Sequence, residues 1–291
     1  MKSIITAGFN SGLGDMYTNL YQIIYLQEEL KKIGYEVKTI IDLGINPYKV
    51  DGENRDIFKR IFKFDLLDSV EIVVGDLEKV NNNLSQDLIK VYNYEHIHTV
   101  FVDKRSSKFD SIKHVKYSWY YRDDLPKINL FSDEVTKYCE LKSKEIGDDY
   151  IGLHYRPFSS DNEDNIQSDL ENYKLEINNI LEENHDKIVF ISTNKLLVKE
   201  YLKNSKYTNY YINDFVFPNV HDSIRGLLIN EEELFEILKE TVCDMYLLSK
   251  CKKIYRIANW FSAFLSFSCL YNQTNVSNTL RYYPKYPIRP L

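Results

Sequence analysis

Residues 150–157 read YIGLHYRP, a short apolar run that stops at polar and charged residues. The run Tyr150–Tyr155 has the length and content of a buried β-strand. His154 and Arg156 lie two positions apart, so the period of a strand places their side chains on one face. Pro157 cannot donate a hydrogen bond to a neighbouring strand and is expected to close this one. Because ligands of open α/β sheets bind beyond the carboxyl ends of the strands, this segment is a candidate binding site.

His154 and Arg156 are suited to two kinds of role. An arginine can hold phosphate oxygens through two parallel hydrogen bonds, and a histidine beside it suits a phosphate or a nucleobase. Alternatively, Arg156 pairs with a neighbouring acidic residue and His154 caps a helix, which are ordinary structural uses of these side chains. The spacing alone leaves both roles open.

Strands and helices alternate on both sides of this segment. From residue 150 onward, we predict strands at 150–155, 187–192, 207–212 and 253–257, and helices at 168–183, 194–203, 231–249 and 261–271. Before it, we predict strands at 3–7, 35–43, 70–74 and 99–102, and helices at 15–33, 55–64 and 132–146. In the first helix, Asp15 is the expected N-cap and Gly34 the expected C′ residue. Such alternation is typical of parallel sheets covered by helices on both faces.

We therefore predict an α/β protein with two Rossmann-like domains that face a cleft. The glycine and aspartates at 147–149 are a plausible boundary between the two domains. The expected division is an N-terminal domain at 1–147, a C-terminal ligand-binding domain at 148–275, and a tail at 276–291 that packs back on the N-terminal domain.

The composition excludes several other classes of protein. The chain has 291 residues, of which 44% are hydrophobic, and a net charge of −6. This is typical of a globular protein, is too apolar for a disordered chain, and does not favour a nucleic-acid partner. No apolar run reaches the roughly 18–20 residues of a membrane span. The N-terminus lacks the long apolar segment of a signal peptide, so we expect a cytoplasmic protein.

The four cysteines are scattered, without a CxxC pair. This spacing argues against both a disulfide framework and a structural zinc site, and we expect buried free thiols instead. We predict no metal and no bound cofactor.

A glycine-rich loop at 8–14 leads into the first predicted helix. Gly12, Gly14 and Asp15 stand where backbone amides at a helix N-terminus can approach an anion. The loop matches neither GxGxxG nor the P-loop pattern, so a dinucleotide or ATP site is not supported. A tight turn without a ligand is the equally simple interpretation.

Acidic side chains follow the 150–157 segment at Asp161, Glu163 and Asp164. A carboxylate held near a cleft can accept a proton from a hydroxyl group as a general base. More often, a charged loop of this kind is only solvated.

A third candidate segment covers residues 242–264. It places Asp244 in an otherwise apolar helix, and Asn259 and Ser262 at the start of the next helix. Asn259 and Ser262 either cap that helix or bind an anion at its N-terminus. Asp244 either binds a base edge or pairs with a lysine.

Taken in this order, the segments resemble the fucosyltransferase superfamily, especially the α1,6-fucosyltransferases of N-glycan core and nodulation-factor synthesis. The corresponding motifs are His154-Tyr155-Arg156, then Ser192-Thr193-Asn194, then Asp244 followed by Leu248-Ser249 and 259–262. The N-terminal Ser11-Gly12-Leu13-Gly14-Asp15 also looks like the GGLGN loop of α1,2-fucosyltransferases. The resemblance covers the second half of the chain and one N-terminal loop.

The resemblance implies a GT-B fold and metal-independent, inverting transfer of a sugar, with fucose from GDP-fucose expected, to a glycan acceptor. By position, His154 and Asp244 would contact guanine, and Arg156 would neutralise the β-phosphate of the leaving GDP. Thr193, Asn259 and Ser262 would complete the donor site. Asp164 would be the general base, with Asp161 as the alternative. The acceptor-side loop would hold Gly12, Gly14 and Asp15.

The sequence also departs from the family pattern. Pro157 replaces the second arginine of HxRR, Ser159 and Ser160 replace its Asp-Lys, and Asn194 replaces the aspartate of ATD. Two alternatives therefore remain: a heptosyltransferase-like GT-B enzyme that uses another nucleotide sugar, suggested by the GLGD at 12–15, and a degenerate glycan-binding or scaffold protein.

The sequence also contains 24 tyrosines. Most, such as Tyr17, Tyr21 and Tyr255, fall on predicted helices and strands, where we expect them to fill cores. Those at 117–121 are the remaining candidates for an aromatic glycan platform.

Overall fold

The structure of the protein is a computed structural model. It describes residues 2–8, 13–32, 34, 36–42, 57–67, 69–73, 88–91, 100–101, 128–156, 163–193, 196–213, 215, 230–258 and 280–281. By contacts the chain divides into two units, Met1–Val135 with Arg225–Lys239, and Thr136–Ile224 with Glu240–Leu291. Each unit contains one five-stranded sheet.

The first sheet has the strand order β3-β2-β1-β4-β5. Its strands are β1 (Lys2–Gly8), β2 (Glu36–Asp42), β3 (Val70–Val73), β4 (Leu88–Val91) and β5 (Val100–Phe101). All neighbours pair in parallel except β4 and β5, which are antiparallel. The strands β1, β2, β3 and β5 were predicted from the sequence and are confirmed, whereas β4 was not predicted.

Two helices belong to this part of the chain, α1 (Leu13–Lys32) and α2 (Phe58–Ile61). Gly34 has a φ of 87°, which confirms the predicted left-handed position after α1. The predicted N-cap is wrong: α1 already begins at Leu13, so Asp15 lies inside its first turn, where a negative charge is favoured by the helix dipole. The helix predicted at 55–64 is a single turn, because Phe62 is extended and forms a bridge with Phe131.

The core of the first unit contains a cluster of aromatic side chains. The ring centroids of Tyr17 and Phe131 are 5.2 Å apart, and those of Phe62 and Phe131 are 5.7 Å apart. The Tyr17 hydroxyl donates a hydrogen bond of 2.9 Å to the carbonyl of Ile128. Tyr17 and Tyr21 are fully buried, as predicted for tyrosines on this helix.

The second sheet has the order β10-β9-β6-β7-β8 and is parallel throughout. Its strands are β6 (Tyr150–Arg156), β7 (Ile188–Ser192), β8 (Tyr210–Ile212), β9 (Ile254–Ala258) and β10 (Leu280–Arg281). The helices from here on are α3 (Asp133–Ile146), α4 (Glu163–Glu183), α5 (Leu196–Lys203) and α6 (Glu231–Lys250). Read outward from β6, this is the same doubly wound order as in the first sheet.

Part of the predicted C-terminal tail belongs to this sheet, because Leu280 and Arg281 pair with Tyr255 and Arg256 of β9. The helix predicted at 261–271 and the tyrosines at 117–121 lie outside the described residues. The domain bounds at 147 and 275 remain predictions.

The two faces of β6 pack against different helices. Ile151, Leu153 and Tyr155 belong to an apolar cluster that also contains buried residues of α4, α5 and the neighbouring strands. On the opposite face, the Tyr150 hydroxyl donates to the carbonyl of Leu247 in α6 at 2.8 Å. The central strand is therefore covered on both sides, as expected for a doubly wound sheet.

Three of the four cysteines, Cys139, Cys243 and Cys251, are buried free thiols, as predicted. Cys269 lies outside the described residues. Within the described part of the chain, no helix has the length and apolar content needed to cross a membrane.

Gly152 is the point of closest packing between β6 and α6. A Cβ at this position would lie 2.8 Å from Cys251 Sγ and 2.9 Å from Leu248 Cδ2. We expect Gly152→Ala to lower the free energy of unfolding by about 1–3 kcal/mol, because the added methyl overpacks the interface. Urea denaturation would measure the change.

Adding Cys251→Ala to this variant should restore part of the stability, because it removes the sulfur. Gly147→Ala is the matched control: its φ of 92° strains an alanine, but open space surrounds its Cβ. Cys251→Ala should not restore stability to Gly147→Ala. Equal effects of Cys251→Ala in both backgrounds would contradict the packing explanation.

Candidate functional site

Polar side chains meet where the strand order of the second sheet reverses, between β6 and β9. His154 of β6 is in register with Ser192 of β7 on one side and with Arg256 of β9 on the other. Residues in register on parallel strands point to the same face. His154 is 3% exposed, Ser192 2% and Arg256 1%. Three polar residues therefore form a buried row next to the switch point, the usual ligand-binding position in such sheets.

The row faces α6, because Ser192 contacts Asp244 of that helix. Ser192 Oγ donates a hydrogen bond of 3.0 Å to Asp244 Oδ2. We call His154, Ser192, Arg256 and Asp244 the polar layer. Asp244 is only partly buried as a residue, whereas the other three members are buried. Asp244 is thus the least buried member of the layer.

Asp244 has an unusual proton affinity. Burial raises the pKa of its carboxyl group from 3.8 to about 7, and the negative charge of Glu240 adds to the effect. The hydrogen bonds from Ser192 and Asn213 and the positive charge of Lys199 oppose this rise. Such a group titrates close to neutral pH and can act as an acceptor or as a donor.

Asn213, directly after β8, reaches the same carboxylate from the other side. Its Nδ2 donates to Asp244 Oδ1 at 3.4 Å and to Glu240 Oε2 at 2.7 Å. The hydroxyl of Tyr138 in α3 donates to the other oxygen of Glu240. One amide group therefore bridges two carboxylates that lie one helical turn apart on α6.

A buried lysine fixes the backbone beside Asn213. Lys199 Nζ donates to the carbonyl of Asn213 at 2.7 Å and to that of Phe215 at 2.6 Å. The lysine comes from α5, and burial of its long side chain is uncommon unless the charge is compensated. Its two carbonyl contacts hold the segment that follows β8 in one conformation.

The remaining predicted donor-site residues differ in what the structure describes. Thr193 is buried directly after β7, beside Ser192. Arg156 is the last residue of β6, in register with Ala258. Its side chain is not among those described. Asn259 and Ser262 lie outside the described residues.

Of the two candidate bases, Asp164 lies in a helix. We predicted a helix from 168, but α4 already begins at Glu163, so Asp164 occupies its first turn. Acidic residues are favoured there by the helix dipole. Asp161 lies outside the described residues.

The predicted anion loop is also shorter than expected. Gly14 and Asp15 both lie within α1, and Gly14 is buried. Gly12 is not among the described residues.

The structure thus places two predicted residues, His154 and Asp244, next to Ser192. Four residues that the structure brings to this site were not predicted from the sequence: Lys199, Asn213, Glu240 and Arg256. A signal for Arg256 was present, because it is a charged residue on the otherwise apolar strand IYRIA. Among the described residues, no group of three or more His, Cys, Asp or Glu side chains is arranged to hold a metal ion.

Comparisons with known proteins find a match only among solved structures. No protein-family model matches the chain, and no curated protein sequence matches it. The α-1,6-fucosyltransferase NodZ co-crystallized with GDP is 13% identical with a TM-score of 0.54, over 92% of each chain. NodZ soaked with GDP-fucose is 14% identical with a TM-score of 0.53, again over 92% of each chain. The fucosyltransferase NodZ from Bradyrhizobium is 13% identical with a TM-score of 0.53 over the same shares. Together with the two doubly wound sheets, these similarities show that the chain has the GT-B fold.

Proposed function

We propose that this chain is a glycosyltransferase that takes fucose from GDP-fucose and transfers it, with inversion and without a metal ion, to a glycan acceptor. The observation that carries the proposal is the polar layer at the switch point of the second sheet. The fold is shared with structures of a fucosyltransferase that were obtained with GDP or GDP-fucose. Identity of 13–14% supports the fold alone, so the donor is argued from the site.

The nucleobase is assigned to Asp244. Guanine carries a ring N–H and an amino group side by side, and an ionised carboxylate accepts a hydrogen bond from each. Asp244 is the carboxylate of the polar layer and its least buried member. His154, in register with Ser192, would contact the same base. A guanine nucleotide fits this arrangement better than adenine, whose edge pairs one donor with one acceptor.

The diphosphate is assigned to the carboxyl ends of β6 and β9. Departure of the nucleoside diphosphate builds negative charge on the β-phosphate, and preorganised donors that meet this charge lower the barrier. Arg156 ends β6, and the buried Arg256 lies on the adjacent strand. Thr193, Asn259 and Ser262 would add hydroxyl and amide donors. In this proposal arginine side chains take the place of a divalent cation.

The acceptor hydroxyl needs a base in a single displacement with inversion. Asp164 is the proposed base, because it lies in the helix that follows the strand carrying His154 and Arg156. It would take the proton as the hydroxyl oxygen attacks the anomeric carbon of fucose and GDP departs.

Nucleotide binding is the first test of the donor. We expect GDP at about 100 times its Kd to stabilise the protein by about 2.7 kcal/mol relative to the ligand-free protein, and UDP, ADP and CMP at the same concentration to stabilise it less. A thermal-shift series with these nucleotides, with and without EDTA, would measure this preference. EDTA should leave it unchanged. A preference for ADP would favour a heptosyltransferase-like donor, and stabilisation by glycans alone would favour a scaffold.

Arg156→Ala tests the charge on the leaving group. We expect kcat to fall by about 10²–10³-fold or more, because a transition-state donor is lost, while the melting temperature stays near that of the wild type. Arg156→Lys is the control, since it keeps the charge but loses the bidentate geometry. The kcat of Arg156→Lys should lie between those of the wild type and Arg156→Ala. Wild-type turnover by Arg156→Ala would overturn the assignment.

Asp164→Asn tests the base. We expect this variant to lose kcat while its affinity for GDP stays unchanged, because the acid touches the acceptor rather than the donor. Asp161→Asn is the matched control and should behave as the wild type. Steady-state kinetics and GDP titration separate the two effects. If Asp161→Asn loses kcat instead, Asp164 is not the base.

A further inference from the structure

We propose that Asn213, held by Lys199, is a positioning residue that keeps Asp244 ionised and oriented as an acceptor for the donor nucleobase. The inference rests on the proposed function and deepens it by naming the residues that set the state of the recognition carboxylate. It is carried by the contacts of Asn213.

The orientation of the Asn213 amide is determined by its neighbours. Its Oδ1 accepts a hydrogen bond of 3.1 Å from the backbone N–H of Phe215. Lys199 holds the carbonyls of the same two residues, so the turn cannot rearrange without breaking three hydrogen bonds. With Oδ1 used in this way, Nδ2 must point at α6, where it donates to Glu240 and Asp244. Both hydrogens of the amino group therefore have an acceptor.

Asp244 receives donors on both oxygens. Ser192 Oγ lies 3.0 Å from Oδ2, and Asn213 Nδ2 lies 3.4 Å from Oδ1. Hydrogen bonds to the charged form of a carboxylate favour ionisation and lower its pKa. Each oxygen also keeps acceptor capacity, because a carboxylate offers about four lone-pair sites. A nucleobase with two adjacent donors can use that remaining capacity only when the group is ionised.

The charges around Asp244 act in opposite directions. Glu240 lies four residues earlier on α6 and opposes ionisation, as like charges at this spacing do. Lys199 favours ionisation. The titratable and charged groups that act on Asp244 or lie next to it along α6 are Lys199, Glu240 and Cys243. Tyr138 of α3 contacts Glu240, and His154 and Arg256 lie in the strand row that contains Ser192. Burial raises the pKa of Asp244 more than the hydrogen bonds from Ser192 and Asn213 and the charge of Lys199 lower it, so the pKa reaches about 7.

The sign of each change follows from this balance. Loss of Asn213 or Lys199 removes a factor that lowers the pKa of Asp244, so ionisation and GDP binding should move to higher pH. Loss of the Glu240 charge removes a factor that raises the pKa, so binding should persist to lower pH. A purely structural role for these residues would weaken GDP binding at all pH values, without such opposite shifts.

The experiment measures GDP affinity of the full chain by calorimetry between about pH 5.5 and 8.5, for the wild type, Asn213→Ala, Lys199→Met and Glu240→Gln. We expect wild-type affinity to rise with pH through a midpoint near 7. The midpoint should move up in the first two variants and down in the third. A shift of about one pH unit corresponds to a tenfold change in GDP affinity below both midpoints.

Three controls accompany these variants. Lys203→Met changes the net charge equally on an exposed position of α5 and should leave the midpoint unchanged. Guanosine replaces GDP in a second series, because a terminal phosphate titrates in the same range. Circular dichroism confirms folding, and Glu240→Gln retains an acceptor for Asn213, so at least one informative variant keeps the local hydrogen bond.

The outcomes separate this inference from the proposed function. If the wild type binds neither GDP nor guanosine at any pH, the proposed function fails and the inference fails with it. If the wild type binds GDP but the three variants keep its midpoint, or all shift in the same direction, the inference alone is overturned. An upward shift for Asn213→Ala, together with opposite shifts for Lys199→Met and Glu240→Gln, would establish it, whereas an unchanged midpoint for Asn213→Ala would overturn it.

Discussion

The close approach of α6 to β6 at Gly152 is the constraint on which the rest of the second unit depends. Leu248 and Cys251 occupy the space that a Cβ at Gly152 would need. Residues four positions apart on a helix share one face, so the same face of α6 carries Asp244 and Leu248 toward the sheet, and Cys251 follows directly after the helix. One missing side chain on the strand therefore sets the distance at which Asp244 meets Ser192.

Along this contact, both α6 and β6 change from apolar to polar side chains. Next to Tyr150 and Gly152 lie Leu247 and Leu248 of α6, together with Cys251 directly after the helix. Next to His154 and the carboxyl ends of the strands, it presents acidic side chains one and two turns earlier. Burying polar groups is unfavourable unless they form hydrogen bonds, and here the carboxylates of Asp244 and Glu240 accept them. The apolar end supplies stability, and the polar end is confined to the part of the sheet where ligands bind.

The sequence predicts the architecture of this unit well, because local patterns determine it. The run at 150–156 shows the apolar content of a central strand. Asp244 could be predicted as a site residue because it is a charged residue in an otherwise apolar helix. The ends of the helices were predicted less accurately. The helix α4 begins at Glu163, and its start was predicted only at 168 because a polar first turn shows little apolar periodicity. The single-turn α2 is shorter than predicted, since a bridge between Phe62 and Phe131, distant in sequence, ends it.

Asn213 and Lys199 could not be predicted in the same way. Asn213 contacts Asp244 across 31 residues and Glu240 across 27, and Lys199 contacts it across 14. No periodicity joins these positions, and an asparagine after a strand looks like an ordinary turn residue. Only the parallel order of β6, β7 and β8 brings the ends of three separate segments beside one helix. The site is therefore a property of topology, whereas its strands and helices are properties of local sequence.

Charge balance explains why one further arginine matters to the proposed chemistry. The charged side chains that act on Asp244 are Glu240 and Lys199. With both carboxylates ionised, Asp244, Glu240 and Lys199 together carry one negative charge, so they would not balance the charge of a diphosphate. That charge requires a cation beyond these three side chains, at the carboxyl edge of the sheet. Arg156 lies there at the end of β6, two residues after His154, so the proposed function would place the contacts with the base and with the leaving group on a single strand.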